Sequence, residues 1–89
     1  PSSDYDVVVC IRYLDRDLFP AMAASLKPHG LLFYKTFNVH HLRSSPSFNP
    51  AYLLESGELR QVFGDLEPID LEDGEDPDQG VSWIVARRP

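Results

Sequence analysis

The sequence predicts a small α/β domain of order β-α-β-loop-α-β-β that closes with an antiparallel hairpin, and three observations lead there. Val7-Val8-Val9-Cys10-Ile11 is a short, continuous, largely β-branched run of the kind found in strands buried on both faces. Leu31 to Phe37 is a second, mostly apolar run of strand length, placed one helix later. Leu66 to Leu71 and Val81 to Ala86 are two further strand segments, separated by the acidic, Gly- and Pro-containing turn region Glu72 to Gly80.

The pieces between follow from local chemistry. Asp15 or Asp17 caps a helix running to about Leu26, with Leu18, Phe19, Met22, Ala23 and Leu26 at helical spacing. Pro20 fits only in the first turn, which favours Asp17 as the cap. Lys27-Pro28-His29-Gly30 then stops the helix, and the crossover to the second strand is expected to be right-handed. Residues 38 to 55, with Pro46, Pro50 and the serines around Ser44 to Ser47, form a long loop of the lid or binding-loop kind. A short helix follows from Ser56 to Phe63, capped by Ser56, with Leu59, Val62 and Phe63 turned inward.

Composition narrows the function classes. Eighty-nine residues make at most one domain with a thin core. The net charge of −6 is local, because residues 65 to 78 hold eight acidic groups and no basic one, which reads as solvated loop. The scattered Arg and Lys offer no stripe for phosphates, so nucleic-acid binding is disfavoured. Cys10 is the single cysteine, which excludes an internal disulfide and fits a cytoplasmic setting. No apolar run approaches the roughly 18 to 20 residues that span a bilayer, so no membrane partner is expected.

Taken in order, Tyr5-Asp6-Val7-Val8-Val9, Tyr13-Leu14-Asp15-Arg16, Leu26-Lys27-Pro28-His29-Gly30-Leu31-Leu32, Thr36-Phe37 and Asn49-Pro50 through Gly57-Glu58-Leu59 resemble the second half of class I S-adenosylmethionine-dependent methyltransferases of the small-molecule, tellurite-resistance type. The resemblance implies that residues 1–89 form one partial Rossmann-like unit equivalent to strands four to seven of that fold, with the last strand inserted beside the fifth. Such proteins usually have two glycines after the Lys-Pro, and here the first is His29, a cost if its φ is positive. The glycine-rich loop after the first strand and the acidic residue that holds the cofactor ribose have no counterpart in the sequence. S-adenosylmethionine is therefore expected to bind only when that other half is supplied, and the isolated chain is expected to be inactive.

In such a sheet the ligand lies beyond the carboxyl ends of the strands, where strand order reverses. The resemblance then places Cys10, Ile11, Arg12 and Tyr13 on the cofactor wall and Lys35, Thr36 and Phe37 on the substrate side. Arg12 is read either as an anchor for a carboxylate, on the cofactor's methionine end or on the substrate, or as an ion-pair partner of Asp15 or Asp17. Tyr13 is either a stacking or nucleophile-orienting residue or a packing one. His40 and His41 are the candidates for a general base, against the reading of solvated loop histidines. No metal-ligand spacing is present, and Asp70 to Asp78 lacks the spacing of a calcium loop. Phe37, Phe48, Tyr52 and Trp83 are expected to pack in the core or under the loops. Without its first three strands the fold leaves Val7 to Ile11 as an open edge, expected to pair with a second copy or with the missing half. The competing reading is a non-catalytic homodimeric module built on the same half-fold.

Overall fold

Four strands form one mixed sheet in the order β1-β2-β4-β3, where β1 is Tyr5–Ile11, β2 is Leu26–Phe37, β3 is Glu67–Glu72 and β4 is Val81–Arg87. The computed structural model describes residues 5–12 and 14–89. Asp4 and the candidate site residue Tyr13 lie outside the described residues. β1 runs parallel to β2, with Val7 opposite Leu31 and Ile11 opposite Lys35. β4 is antiparallel to both β2 and β3, so the last strand is inserted between them, as the resemblance implies. The expected α/β order and terminal hairpin are both present.

The pleat sends alternate residues to opposite faces, and the two faces fare differently. Leu32, Tyr34, Ile84 and Ala86 form the buried face, under Phe19 of helix α1 (Phe19–Ala24) and Leu59 of helix α2 (Glu58–Val62). Phe19 meets Tyr34 edge-on at 5.4 Å and Phe63 at 5.2 Å, an aromatic cluster that fixes both helices on this side. On the other face Val7, Val9 and Ile11 are 54 to 60% exposed, and Phe33, Trp83 and Val85 are only partly covered. Both helices pack on the Tyr34 face. No helix among the described residues is long and apolar enough to cross a membrane.

Two buried carboxylates order the helical side. Glu58 receives a forked ion pair from Arg16, with Nε to Oε2 at 2.6 Å and Nη2 to Oε1 at 3.0 Å, and also accepts the Glu55 amide. Arg16 extends its other bonds to the carbonyls of Ala51 and Leu53, which ties the turn before α1 to the loop before α2. Burial alone would raise the Glu58 carboxyl, but the hydrogen bonds from Arg16 and Glu55 outweigh it and hold it below its ordinary value. Asp73, fully buried, accepts the amides of Leu59 and Arg60 and so caps α2 from a distant part of the chain.

The local expectations need four corrections. The turn before α1 is a 3-10 turn at Arg16–Leu18 capped by Asp15, whose side chain accepts the Asp17 amide, so Asp15 and not Asp17 is the cap. α1 ends at Ala24, where the Ser25 hydroxyl bonds back to the Met22 carbonyl, and Leu26 already belongs to β2. Ser56 does not cap α2. It donates to the Gly74 carbonyl, Gly57 at φ 83° takes the cap position, and Asp73 supplies the acceptors. Finally, the acidic stretch is not uniformly solvated, because Asp73 is in the core.

The Lys27 to Gly30 turn is a bulge within β2, where the register passes from Tyr5 opposite Leu26 to Val7 opposite Leu31. His29 sits at φ 68° to make it, an L-residue in the left-handed region at a cost of about 1–2 kcal/mol. A Cβ on Gly30 would lie 2.9 Å from the Lys27 carbonyl oxygen and 3.1 Å from that of Asp6. His29→Gly should therefore stabilise the chain by up to about 1 kcal/mol in urea unfolding, while Gly30→Ala should destabilise it by about 1–3 kcal/mol.

The contribution of Glu58 is fully present above its unfolded value of about 4.3 and is lost as pH falls through the lower folded value. Glu58→Gln should lose about 1–3 kcal/mol at neutral pH, and its stability should then fall less steeply than the parent's below about pH 4.5. Parallel acid limbs for the two proteins would remove Glu58 from the acid response.

Candidate functional site

β1 and β2 deliver their carboxyl ends to the same end of the sheet because they are parallel. β1 leaves the sheet at Arg12, whose amide donates to the Lys35 carbonyl at 2.7 Å. Arg12 sits at φ 59°, a second non-glycine residue in the left-handed region. β2 leaves at Phe37, and Asn38 then caps a 3-10 turn, Val39–Arg43, by accepting the His40 amide at 2.9 Å.

Asn38 is fully buried, and its side-chain amide donates to the Gln79 carbonyl at 3.0 Å and to the Ser82 hydroxyl at 2.9 Å. The chain returns so that Val39 donates to the Leu54 carbonyl and Leu54 to that of Phe37. The expected long loop is thus stitched to the sheet at both ends, and two 3-10 turns, Val39–Arg43 and Pro50–Tyr52, lie within it.

Between these elements lies a hollow of about 260 Å³ lined by Arg12, Leu14, Thr36, Phe37, Phe48 and Tyr52. A smaller one of about 150 Å³, lined by Ile11, Arg12, Lys35, Thr36, Phe37 and Val81, shares three of those residues. The walls are ordered aromatics: His41 stacks on Phe37 at 4.0 Å, and Phe48 meets both rings edge-on at 5.8 and 5.0 Å. The Arg12 guanidinium lies 5.7 Å from the Phe37 ring centre, and the Lys35 ammonium 5.8 Å from that of Trp83.

The sequence-derived candidates divide as follows. Ile11, Arg12, Lys35, Thr36 and Phe37 gather around the two hollows. Cys10 turns to the Tyr34 face and packs against the core, where burial pushes its thiol above the ordinary value. Neither histidine is among the residues lining these two hollows: His40 shares a 2.8 Å hydrogen bond between Nε2 and the Gly74 carbonyl, and His41 backs Phe37. The alternative pairing of Arg12 with Asp15 or Asp17 is absent among the described residues, and the Asp15 carboxylate is engaged with the Asp17 amide. No group of three His, Cys, Asp or Glu side chains among the described residues converges as a metal site would require.

Sequence reasoning missed Leu14 and Asn38 at this end of the sheet and assigned Phe48 and Tyr52 to packing. Tyr52 is in fact 58% exposed. An Asn directly after an apolar strand is a cap signal that could have marked Asn38.

No protein-family model matches the sequence, and no curated protein is significantly similar to it. Among solved structures, the N-methyltransferase NodS from Bradyrhizobium japonicum WM9 superposes with a TM-score of 0.69 at 16% identity. The match takes in all of this chain and 53% of the NodS chain, so the residues here span about half the length of that protein. The chain therefore has a methyltransferase-like fold, shared in part with an enzyme of that class.

The backbone at Arg12 is open to a direct test. Arg12→Gly relieves the positive φ and should raise stability by up to about 1 kcal/mol, whereas Arg12→Ala keeps the strain and should not. Chemical denaturation of the two variants beside the parent separates them.

Proposed function

We propose that this chain is the carboxyl-terminal half of an S-adenosylmethionine-dependent methyltransferase of the small-molecule, tellurite-resistance type, active in the cytoplasm once a glycine-rich half joins it along β1. The observation that carries this reading is the strand order β1-β2-β4-β3 with β1 at an open edge. In the methyltransferase sheet that edge is where the order reverses and where the cofactor cleft lies.

The residues fit one wall of such a cleft. Ile11 offers exposed apolar surface at the strand exit, and Arg12 stands beside it with an exposed side chain. The five glycines, Gly30, Gly57, Gly64, Gly74 and Gly80, are scattered, and none follows β1 closely enough to cradle a nucleotide. When bound, the cofactor supplies an electrophilic methyl group. Residues of this chain would orient the acceptor at Thr36 and Phe37 and supply a proton acceptor from the His40-His41 pair. His41 is the nearer candidate, since its ring stacks on Phe37 at the hollow.

The same edge explains the expected partner. Val7, Val9 and Ile11 present apolar side chains, and a groove of about 400 Å³ lined by Tyr5, Val7, Val8, Leu18, Ala21, Met22 and Ser25 runs beside them. In a longer polypeptide, a parallel strand and its helix fill this seam. In the isolated chain, a second copy does so.

Sedimentation and hydrogen exchange on the 89-residue chain, with calorimetry against S-adenosylmethionine, test the proposal. The expected result is a dimer protected at Val7 to Ile11 and no micromolar cofactor binding. Fusion of a glycine-rich half ahead of β1 should then give a monomer that binds. A monomeric chain with fast exchange at Val7 to Ile11 removes the seam, and micromolar binding to the chain alone removes the need for another half. A dimer that persists after fusion, without cofactor binding, favours the non-catalytic module.

A further inference from the structure

We infer that the hollow between Arg12 and Tyr52 is an acceptor subsite for a small aromatic carboxylate, with the Arg12 guanidinium holding the carboxylate and Phe37, Phe48 and Tyr52 enclosing the ring. Calling the ligand an acceptor rests on the methyltransferase reading. The binding itself does not.

Charge is the first argument. The chain carries a net charge of −6, and three of its arginines are matched to acids: Arg16 to Glu58, Arg43 to Asp78 and Arg60 to Glu75, while Arg88 donates to the carbonyls of Ala24 and Leu26. Among the described residues Arg12 has no acidic partner, and no residue lining the hollow is acidic. An always-charged, weakly hydrated, planar donor set among aromatic rings is suited to a forked contact with a carboxylate.

Shape is the second. About 260 Å³ lies just below the range of sites that enclose drug-sized ligands, so the hollow suits a molecule with one ring. Two of its aromatic walls are already braced, Phe37 by His41 and Phe48 against both rings, which leaves Tyr52 as the ring for the ligand to order. Thr36, almost fully buried, lines the hollow as well.

Backbone strain is the third. Arg12 holds the left-handed conformation with its guanidinium 5.7 Å from the Phe37 ring centre. Strain of this kind persists where surrounding structure over-determines it, and the bond from the Arg12 amide to the Lys35 carbonyl does so here. Lys35, on the adjoining smaller hollow, adds a second cation at the same end of the sheet.

The test is an amide-resolved NMR titration of the 89-residue chain, without cofactor, using benzoate, benzamide and acetate. Benzoate should saturate and shift the amides of Arg12, Thr36, Phe37 and Phe48, with benzamide (ring without charge) and acetate (charge without ring) each at least about tenfold weaker. Arg12→Gln should weaken benzoate by about tenfold or more, and Arg12→Gly, which removes the guanidinium while relieving the backbone, should do the same with a well-dispersed spectrum. Equal shifts from benzoate and benzamide, shifts centred on Arg43 or Arg60, or unchanged binding in both variants would overturn the inference. Benzoate binding that survives while the fused protein fails to bind S-adenosylmethionine keeps the subsite and removes the word acceptor.

Discussion

β2 is hydrogen-bonded on both sides, to a parallel neighbour in β1 and an antiparallel one in β4, and this mixed pairing decides where everything else in the chain can lie. Parallel pairing requires a crossover, which is supplied by the 3-10 turn and α1, and it brings the exits of β1 and β2 to one end. Antiparallel pairing with β4 uses the other edge of β2 and pushes β3 to the outside. The single strand edge facing away from the hairpin is then β1, where apolar side chains stand exposed.

The helical side depends on charged groups that would be costly if unpaired. Glu58 and Asp73 are buried carboxylates, each satisfied by donors from another part of the chain. α2 has only five residues, too few to hold itself in water, and its first amides find their acceptors on Asp73. Its position is thus set by contacts from a loop and from the turn before α1.

The parts of this fold legible in the sequence were its apolar runs of strand length. The β-branched run at Val7 to Ile11 and the last two segments became strands close to where they were expected, and the apolar run at Leu31 to Phe37 did so with five more residues, from Leu26, joined ahead of it. Short-range capping was less legible, because Asp73 replaces Ser56 from far along the chain and no local pattern announces that. The same reason hid Asn38, whose partners Gln79 and Ser82 are adjacent only after β4 inserts beside β2. The site was readable as an end of the sheet, since strand exits follow from strands. Which aromatics wall it was not, because Phe48 and Tyr52 come from a loop with no periodicity, whose course is set by backbone bonds between Val39, Leu54 and Phe37.

The acidic loop before β4 is anchored in the core at both ends and held only by exposed contacts between them. Asp73 fastens one end beneath α2, and the bonds of Asn38 to Gln79 and Ser82 fasten the other. From Glu75 to Asp78 the chain is exposed, with Arg43 and Arg60 as its surface counter-ions. Pairs of that kind contribute little to stability and are screened by salt. The tip between Asp76 and Asp78 is therefore the place where this fold can accept extra residues, a tag or a new binding segment, with the hollow at the strand exits left undisturbed.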